Sequence, residues 1–544
     1  MVSPTEGSTR PNFVVILVDD MGFSDIGCFG AEIATPNLDS MARRGAVFTQ
    51  MYNCARCCPT RASLLTGLYP HQAGVGHMVG NDGIPGYQGY LRKDAVTIAE
   101  ALKAGGYRTY LSGKWHVGGS YDAARPQTWR PGEEGRPIPV QRGFDHHYGF
   151  LAGATSFFNP HTLIRDDTFI RPEPPFYFTD AISDNACTFL EDAAGGEEPF
   201  FLFTAYTAPH WPLHALEEDI ARYEGKYRGG WDEARTRRHE TLRGLGICDP
   251  KWDISPRDEQ APPWDGLPAD RRDWEDLRMA VYAAQIDRMD QGVGRILAKL
   301  REKGMEENTV VMFLADNGGC AEFLAEDGHC QNYGYDTLEG RKVKVGNHMG
   351  LRPGPATTFM SYDLPWANAS NAPFRLYKHW VHEGGIATPL LVQWPEKVKP
   401  GTRSDAPCHV IDIMATCLDA AGVAYPEQYD GNAIQPLEGE SLVPAMRGQE
   451  WQRERPIFFE HEGNRAVRLG RWKLVSKHPY AWELYDMVED RTELNDLALS
   501  NAPQAAKMAK LYDEYASTHD VMDWDKLRDL RRERDRKRAQ GKQG

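Results

Sequence analysis

Four apolar runs, each stopping at a polar or turn-forming cluster, constrain this chain more than any other feature. Phe13 to Val18 runs into Asp19-Asp20, and Pro199 to Phe203 continues through Ala205-Tyr206 to Pro209-His210. Val310 to Ala315 runs into Asp316-Asn317, and Pro389 to Trp394 is the fourth. Continuous apolar runs bounded by turn signals read as strands buried on both faces, the habit of parallel sheets. Helical segments lie between them. Thr35-Pro36 opens a helix that Gly45 closes, with Thr as cap and Pro in the first turn. Asp94 to Lys103 is amphipathic and stops at Gly105-Gly106, before a strand expected at Tyr107 to Leu111. A long helix is expected over Asp276 to Lys303, just ahead of the Val310 strand.

Strand alternating with helix predicts a doubly wound α/β sheet, whose ligands bind beyond the carboxyl ends of the strands. Asp19, Asp20, His210, Asp316 and Asn317 all fall there, so distant segments converge on one place. All but His210 offer hard oxygens, the donors that Ca²⁺ or Mg²⁺ prefer over the thiolate and imidazole set of zinc. The competing reading is that an Asp after a strand only caps the next turn. Two such doublets at equivalent strand ends weigh against it.

Composition sets the outer bounds. The chain has 544 residues, and its longest strongly apolar run is the six residues from Phe13 to Val18, against roughly 20 for a membrane span. A net charge of −15 argues against a broad nucleic-acid surface, which needs clustered Lys and Arg. Ten Cys in this length do not make a disulfide scaffold, so a large core must supply stability. Met1 to Pro11 lacks the apolar core of a secretory leader. The expectation is a cytoplasmic protein, or a periplasmic or secreted one if a leader had been removed. Arg528 to Gly544 carries eight basic and three acidic residues. Because both signs alternate, it reads as a solvated charged helix with a frayed end rather than an adhesive tail.

The sharpest local feature is Cys57-Cys58-Pro59-Thr60-Arg61-Ala62-Ser63-Leu64-Leu65-Thr66-Gly67. Pro59 in the first turn and Gly67 after the last place Cys57 at a helix N-terminus, where the dipole favours negative charge. Cys57 is thereby a candidate activated nucleophile or anion-site residue, against the commoner alternative of a buried structural Cys.

These residues carry a resemblance. Cys57-x-Pro59-x-Arg61 followed by Leu65-Thr66-Gly67 resembles the signature of the type I sulfatases of the alkaline phosphatase superfamily, whose Cys is oxidised to formylglycine. Other elements follow in family order: Asp19-Asp20 and Asp316-Asn317-Gly318 resemble the metal doublets, and Gly113-Lys114-Trp115-His116 the Lys-x-His element. Ala208-Pro209-His210 resembles the second His element, and Lys378 before Glu383-Gly384-Gly385 the last substrate-binding Lys. The likeness spans about residues 11 to 500 and is nearest to bacterial arylsulfatases. Thr60 stands where Ser is common; Cys58 and Cys54 lack the Pro and Arg spacing that marks Cys57.

The resemblance implies an alkaline-phosphatase-like mixed sheet flanked by helices, with a small C-terminal antiparallel-sheet subdomain. It implies one divalent cation, Ca²⁺ or alternatively Mg²⁺, held by Asp19, Asp20, Asp316, Asn317 and modified residue 57. It implies a formylglycine-generating enzyme as a maturation partner, and a sulfate monoester of a phenol or sugar alcohol as substrate. The formylglycine hydrate would attack sulfur, with Asp316 accepting its proton and Arg61, Lys114 and Lys378 neutralising charge. His210, with Lys378, would protonate the departing alcohol, and His116 would release the sulfo-enzyme ester by taking a proton from the other hydroxyl. An unmodified Cys has no second hydroxyl for that elimination. A phosphonate or phosphate ester hydrolase of the same superfamily is the rival, and Lys114-x-His116 favours the sulfatase. A retained but inactive fold would be marked by loss of Cys57, Arg61 or a metal ligand, and none is lost.

The division expected is a catalytic part over 11–450, a C-terminal part over 451–522 and a charged tail over 523–544. Short strands are expected at Ile457 to Glu460, Ala466 to Leu469, Trp472 to Val475 and Trp482 to Tyr485, then a helix from Pro503 to Thr518. Two inserts, about 119–180 and 215–272, are rich in Trp, Arg, Pro and Asp and are expected to rim the pocket. His146-His147 or His161 are candidates for its lining.

Overall fold

The computed structural model describes residues 10–328, 330, 333 and 335–540. Its centre is an 11-stranded sheet. Asn12–Asp19 lies between Phe200–Pro209 and Thr309–Ala315 and runs parallel to both. Arg108–Lys114 continues the parallel set beside Phe200–Pro209. These strands have buried positions along nearly their whole length. That is why the sequence shows unbroken apolar runs rather than alternation.

The fourth apolar run corrects the parallel reading. Ala387–Gln393 is antiparallel to both its neighbours, Ala46–Tyr52 and Thr309–Ala315. It therefore begins at the end of the sheet where the parallel strands finish. Lys378 and Glu383–Ile386, which lead into it, are delivered to the functional end by this reversal.

The helices follow the punctuation in the sequence. Pro36–Arg44 ends at Gly45. Ile98–Ala104 starts four residues later than expected because Thr97 is its cap: the Thr97 hydroxyl accepts from Glu100 N, and the Glu100 carboxylate accepts from Thr97 N. The long helix runs Ala269–Glu302, longer at its start than its apolar pattern suggests.

After these layers comes a four-stranded antiparallel sheet, Ile457–His461, Asn464–Leu469, Trp472–Ser476 and Glu483–Asp486, followed by the helix Ala502–Thr518. Val467, Leu474, Leu484, Met508 and Tyr512 share a core with Tyr69 and Ile411 of the main layers. A buried charge network completes the seam. The Lys473 ammonium lies 2.8 Å from Glu383 and 2.7 Å from Glu493, and Arg491 lies 3.0 Å from Glu383.

The basic C-terminal segment departs from its expected solvation. It forms a helix, Trp524–Gln540, whose Arg531 and Arg534 both pair with Asp82. Alternating charge predicted the helix, but a single acid in a distant loop gave no sequence signal of the docking. Among the described residues no helix is long and apolar enough to cross a membrane.

Candidate active site

Each residue expected at the site is held by an identifiable element. Asp19 ends its strand and Asp20 follows with φ 64°, a left-handed backbone costly for a side chain with Cβ. That turn swings Asp20 beside the Asn317 amide, which donates 2.8 Å to Asp20 Oδ1. Asp316 and Asn317 follow Thr309–Ala315, and Gly318 comes next because nothing larger fits. A Cβ there would lie 1.9 Å from the Gly384 carbonyl oxygen, so the Asn-Gly and Glu-Gly-Gly segments meet backbone to backbone. Cys57 opens the helix Cys57–Thr66, which ends with Gly67 in the left-handed region. Lys114 ends its strand, and His116, at φ 55°, follows two residues on.

The structure brings Asp19, Asp20, Cys57, Arg61, Lys114, His116, His210, Asp316, Asn317 and Lys378 together at one end of the sheet, all buried. The Arg61 guanidinium donates to Asp316 Oδ2 at 2.8 and 3.1 Å and to the Lys114 carbonyl at 3.1 Å. Lys114 Nζ donates to Asp19 Oδ2 at 2.5 Å, and Lys378 Nζ to Asp20 Oδ2 at 2.9 Å. Lys378 Nζ also stands 3.3 Å from His210 Nε2.

Charge among these groups is uneven. Burial alone would raise the Asp19 carboxyl, but Lys114, His210 and Arg61 outweigh it and hold it down to about 2. Burial and then the Asp19 charge push Asp316 well above the usual carboxylate range, against the pull of Arg61. A hydrogen bond with Cys58, aided by Lys114 and His116 against the cost of burial, draws the Cys57 thiol well below its ordinary value. Burial takes His116 down to about 4, so its imidazole is neutral at pH 7.

The oxygens fit a cation. Asp19 Oδ1 and Asn317 Oδ1 are buried and accept no hydrogen bond. Orphaned buried acceptors are costly unless something satisfies them. Asp19, Asp20 and His210 each bring a possible ligand atom within 4.8 Å of the others.

A cavity of about 240 Å³ opens onto Cys57, His116, His210 and Lys378, walled by Tyr121, Trp211 and Glu322. The 119–180 insert reaches it through Gly119 to Tyr121 and Ala152 to Ala154, whereas 215–272 contributes none of its lining. That second insert instead buries its rings: Trp231 and Trp264 pack edge to face with Trp366. His161 lines a larger cavity of about 1150 Å³. His146 is half-exposed beside Asp166, and His147 is buried against the Gly113 carbonyl.

Sequence reasoning placed Thr60 only as a motif position and missed Arg56 and Glu322. The Thr60 hydroxyl donates to the Asp316 carbonyl at 2.6 Å and accepts from Cys54 N, tying the helix to the end of the Thr309–Ala315 strand. Glu322 bridges Arg56 at 3.0 Å and the Trp211 indole N–H at 2.8 Å. Arg56 was signalled only by adjacency to Cys57; a lone Glu in a loop gives no signal.

An α/β sheet ending in paired acids, three buried cations and an acidic thiol at a helix start defines a hydrolase of anionic esters. The chain matches the Sulfatase family over residues 11–423 and belongs to it; it is a sulfuric ester hydrolase. Residues 374–519 match the family described as N-sulphoglucosamine sulphohydrolase, C-terminal. An arylsulfatase of Klebsiella aerogenes is 34% identical over 448 residues, 80% of this chain and 91% of its own. An uncharacterized sulfatase of Schizosaccharomyces pombe is 30% identical over 524 residues, 90% of each chain. Among solved structures, Ps i-CgsB in complex with k-i-k-neocarrahexaose superimposes with a TM-score of 0.65 at 25% identity, covering 93% of both chains.

Proposed function

We propose that the substrate is a sulfate monoester of a phenol or a sugar alcohol, and that Cys57 works as formylglycine made by a formylglycine-generating enzyme. The observation that carries the reading is the convergence of Arg61, Lys114 and Lys378 with His116 and His210 around Cys57. Asp19, Asp20, Asp316 and Asn317 would hold a divalent cation, Ca²⁺ or alternatively Mg²⁺, which would supply charge to polarise a sulfate oxygen. Formylglycine supplies a hydrated aldehyde with one hydroxyl to attack and a second to restore the carbonyl.

The chain's own groups divide the rest. Arg61, Lys114 and Lys378 neutralise the sulfate from buried positions, where such charges act strongly. His116 is neutral, and its Nδ1 has no partner. It serves as the base that takes the second hydroxyl's proton. At the leaving oxygen, the hydrogen bonds support giving Lys378 the proton and His210 the orienting part. His210 Nδ1 lies 2.5 Å from the Trp211 carbonyl, which can only accept, so the neutral ring keeps its proton there. His210 Nε2 is then bare and accepts from Lys378, whose ammonium is held charged by Asp20 against the cost of burial. Lys378 holds the proton for the departing alcohol, and His210 orients it.

The walls Tyr121 and Trp211 suit an aromatic or sugar ring. The Klebsiella relative supports the aryl alternative and the carrahexaose-bound neighbour the sugar one. Turnover of 4-nitrophenyl sulfate is compared with that of the matching phosphate and a phosphonate monoester. A sulfate preference is expected, and a dominant phosphonate preference overturns the reading.

A further inference from the structure

A carboxylate from the C-terminal sheet reaches both segments that flank the catalytic cavity. Glu462 sits in the turn between Ile457–His461 and Asn464–Leu469, with a left-handed φ of 52°. Its Oε1 lies 2.6 Å from His77 Nε2 and its Oε2 lies 3.2 Å from His379 Nδ1. His77 precedes Met78 and Val79, which line the cavity, and His379 follows Lys378. His379 is also left-handed, at φ 93°, with its backbone N–H given to the Ala55 carbonyl at 2.7 Å. Two strained residues aimed at one another persist only when their surroundings hold them.

His379, His461 and Glu462 bring possible ligand atoms within 4.8 Å of each other, an arrangement a transition metal could use. The protons argue otherwise. A guanidinium can only donate, so Arg531 Nη2, 2.9 Å from His77 Nδ1, leaves the proton of neutral His77 on Nε2, pointing at Glu462. Asn464 Oδ1 accepts from His478 N at 3.1 Å, and its Nδ2 donates to the His461 carbonyl at 2.9 Å. The same Nδ2 faces His379 Nε2 at 3.4 Å, which leaves His379 Nδ1 as the ring nitrogen within ion-pair reach of Glu462. Metal-bound imidazoles donate their outer N–H to an acceptor; here the outer partner of His379 is a donor, and neither ring nitrogen of His461 has a hydrogen-bond acceptor. His461, fully buried, stacks on His77 at 5.6 Å with planes 9° apart. The cluster is a carboxylate clamp, hydrogen-bonded to His77 and within ion-pair reach of His379.

The clamp is anchored by the basic helix. Arg531 donates to Asp82 Oδ2 at 2.6 and 3.0 Å, and Arg534 to Asp82 Oδ1 at 2.9 Å. The Asp82 side chain is only 6% exposed, so it needs these partners.

We propose that Glu462, oriented through His77 by Arg531, is a positioning residue that sets Lys378 and the Met78–Val79 wall against the leaving group. This rests on the placement of Lys378 at the leaving oxygen. Values of kcat/KM are measured for aryl sulfates of graded phenol acidity with the wild type, Glu462→Gln, Arg531→Ala and Lys378→Ala. Melting temperature, bound metal and aldehyde content at residue 57 are recorded for each. Glu462→Gln is expected to cost about tenfold with the least acidic phenols and under about twofold with the most acidic, because only poor leaving groups need the positioned proton. Arg531→Ala should shift the series in the same sense by less, with metal and aldehyde unchanged in both. An unchanged series, or a parallel loss across all phenols, overturns the clamp. Lys378→Ala must steepen the series further. If it does and Glu462→Gln does not, the clamp alone fails; if Lys378→Ala leaves the series flat, the leaving-group reading fails and the clamp with it.

Discussion

Cation uptake by this site should expel a proton, and Asp316 sets the size of the effect. Burial and the neighbouring Asp19 charge raise the Asp316 carboxyl well above its ordinary 3.8. Between that value and its raised one, the folded protein without cation keeps a proton that the unfolded chain has released. Asp316 by itself therefore favours the cation-free fold at acid pH, and that contribution is lost as pH rises through the raised value. A cation needs the carboxylate, so affinity moves the opposite way, strengthening tenfold, or about 1.4 kcal/mol, per pH unit in that window. The assay is calorimetric titration of Ca²⁺ into chelator-stripped protein in buffers of different protonation enthalpy, which counts protons directly. One proton released per cation is expected, and Asp316→Asn should bind more weakly with a flat pH dependence. Uptake without proton release, at pH-independent affinity, would refute the reasoning.

Cys57→Ala should remove multiple turnover of 4-nitrophenyl sulfate while leaving calorimetric cation binding detectable, because the four oxygen donors remain; sustained turnover would contradict it. Lys473→Met leaves Glu383 and Glu493 buried without their shared cation. It should cost about 3–5 kcal/mol in urea unfolding, and a loss below about 1 kcal/mol would show that Arg491 alone suffices.

Much of the site was legible because strand ends deliver it. The doublets Asp19-Asp20 and Asp316-Asn317 stand directly after apolar runs, so their meeting follows from the parallel pairing of two adjacent strands. Cys57 was legible from Pro59 and Gly67, which fix the helix around it. The direction of the Ala387–Gln393 strand was not, because a short buried run reads the same whichever way it pairs. The 215–272 insert misled for a related reason: Trp residues serve a core as well as a pocket rim, and Trp231 and Trp264 serve the core. Glu322 and Glu462 escaped notice because a lone loop carboxylate is usually solvated; their partners Arg56 and His77 lie far away in sequence.

The most direct test of the account is the mass of the peptide carrying residue 57, taken from active enzyme produced with its maturation system and correlated with turnover across preparations. Aldehyde in place of thiol, in proportion to activity on 4-nitrophenyl sulfate, is the expected result. Full activity in protein whose residue 57 is entirely thiol would contradict it.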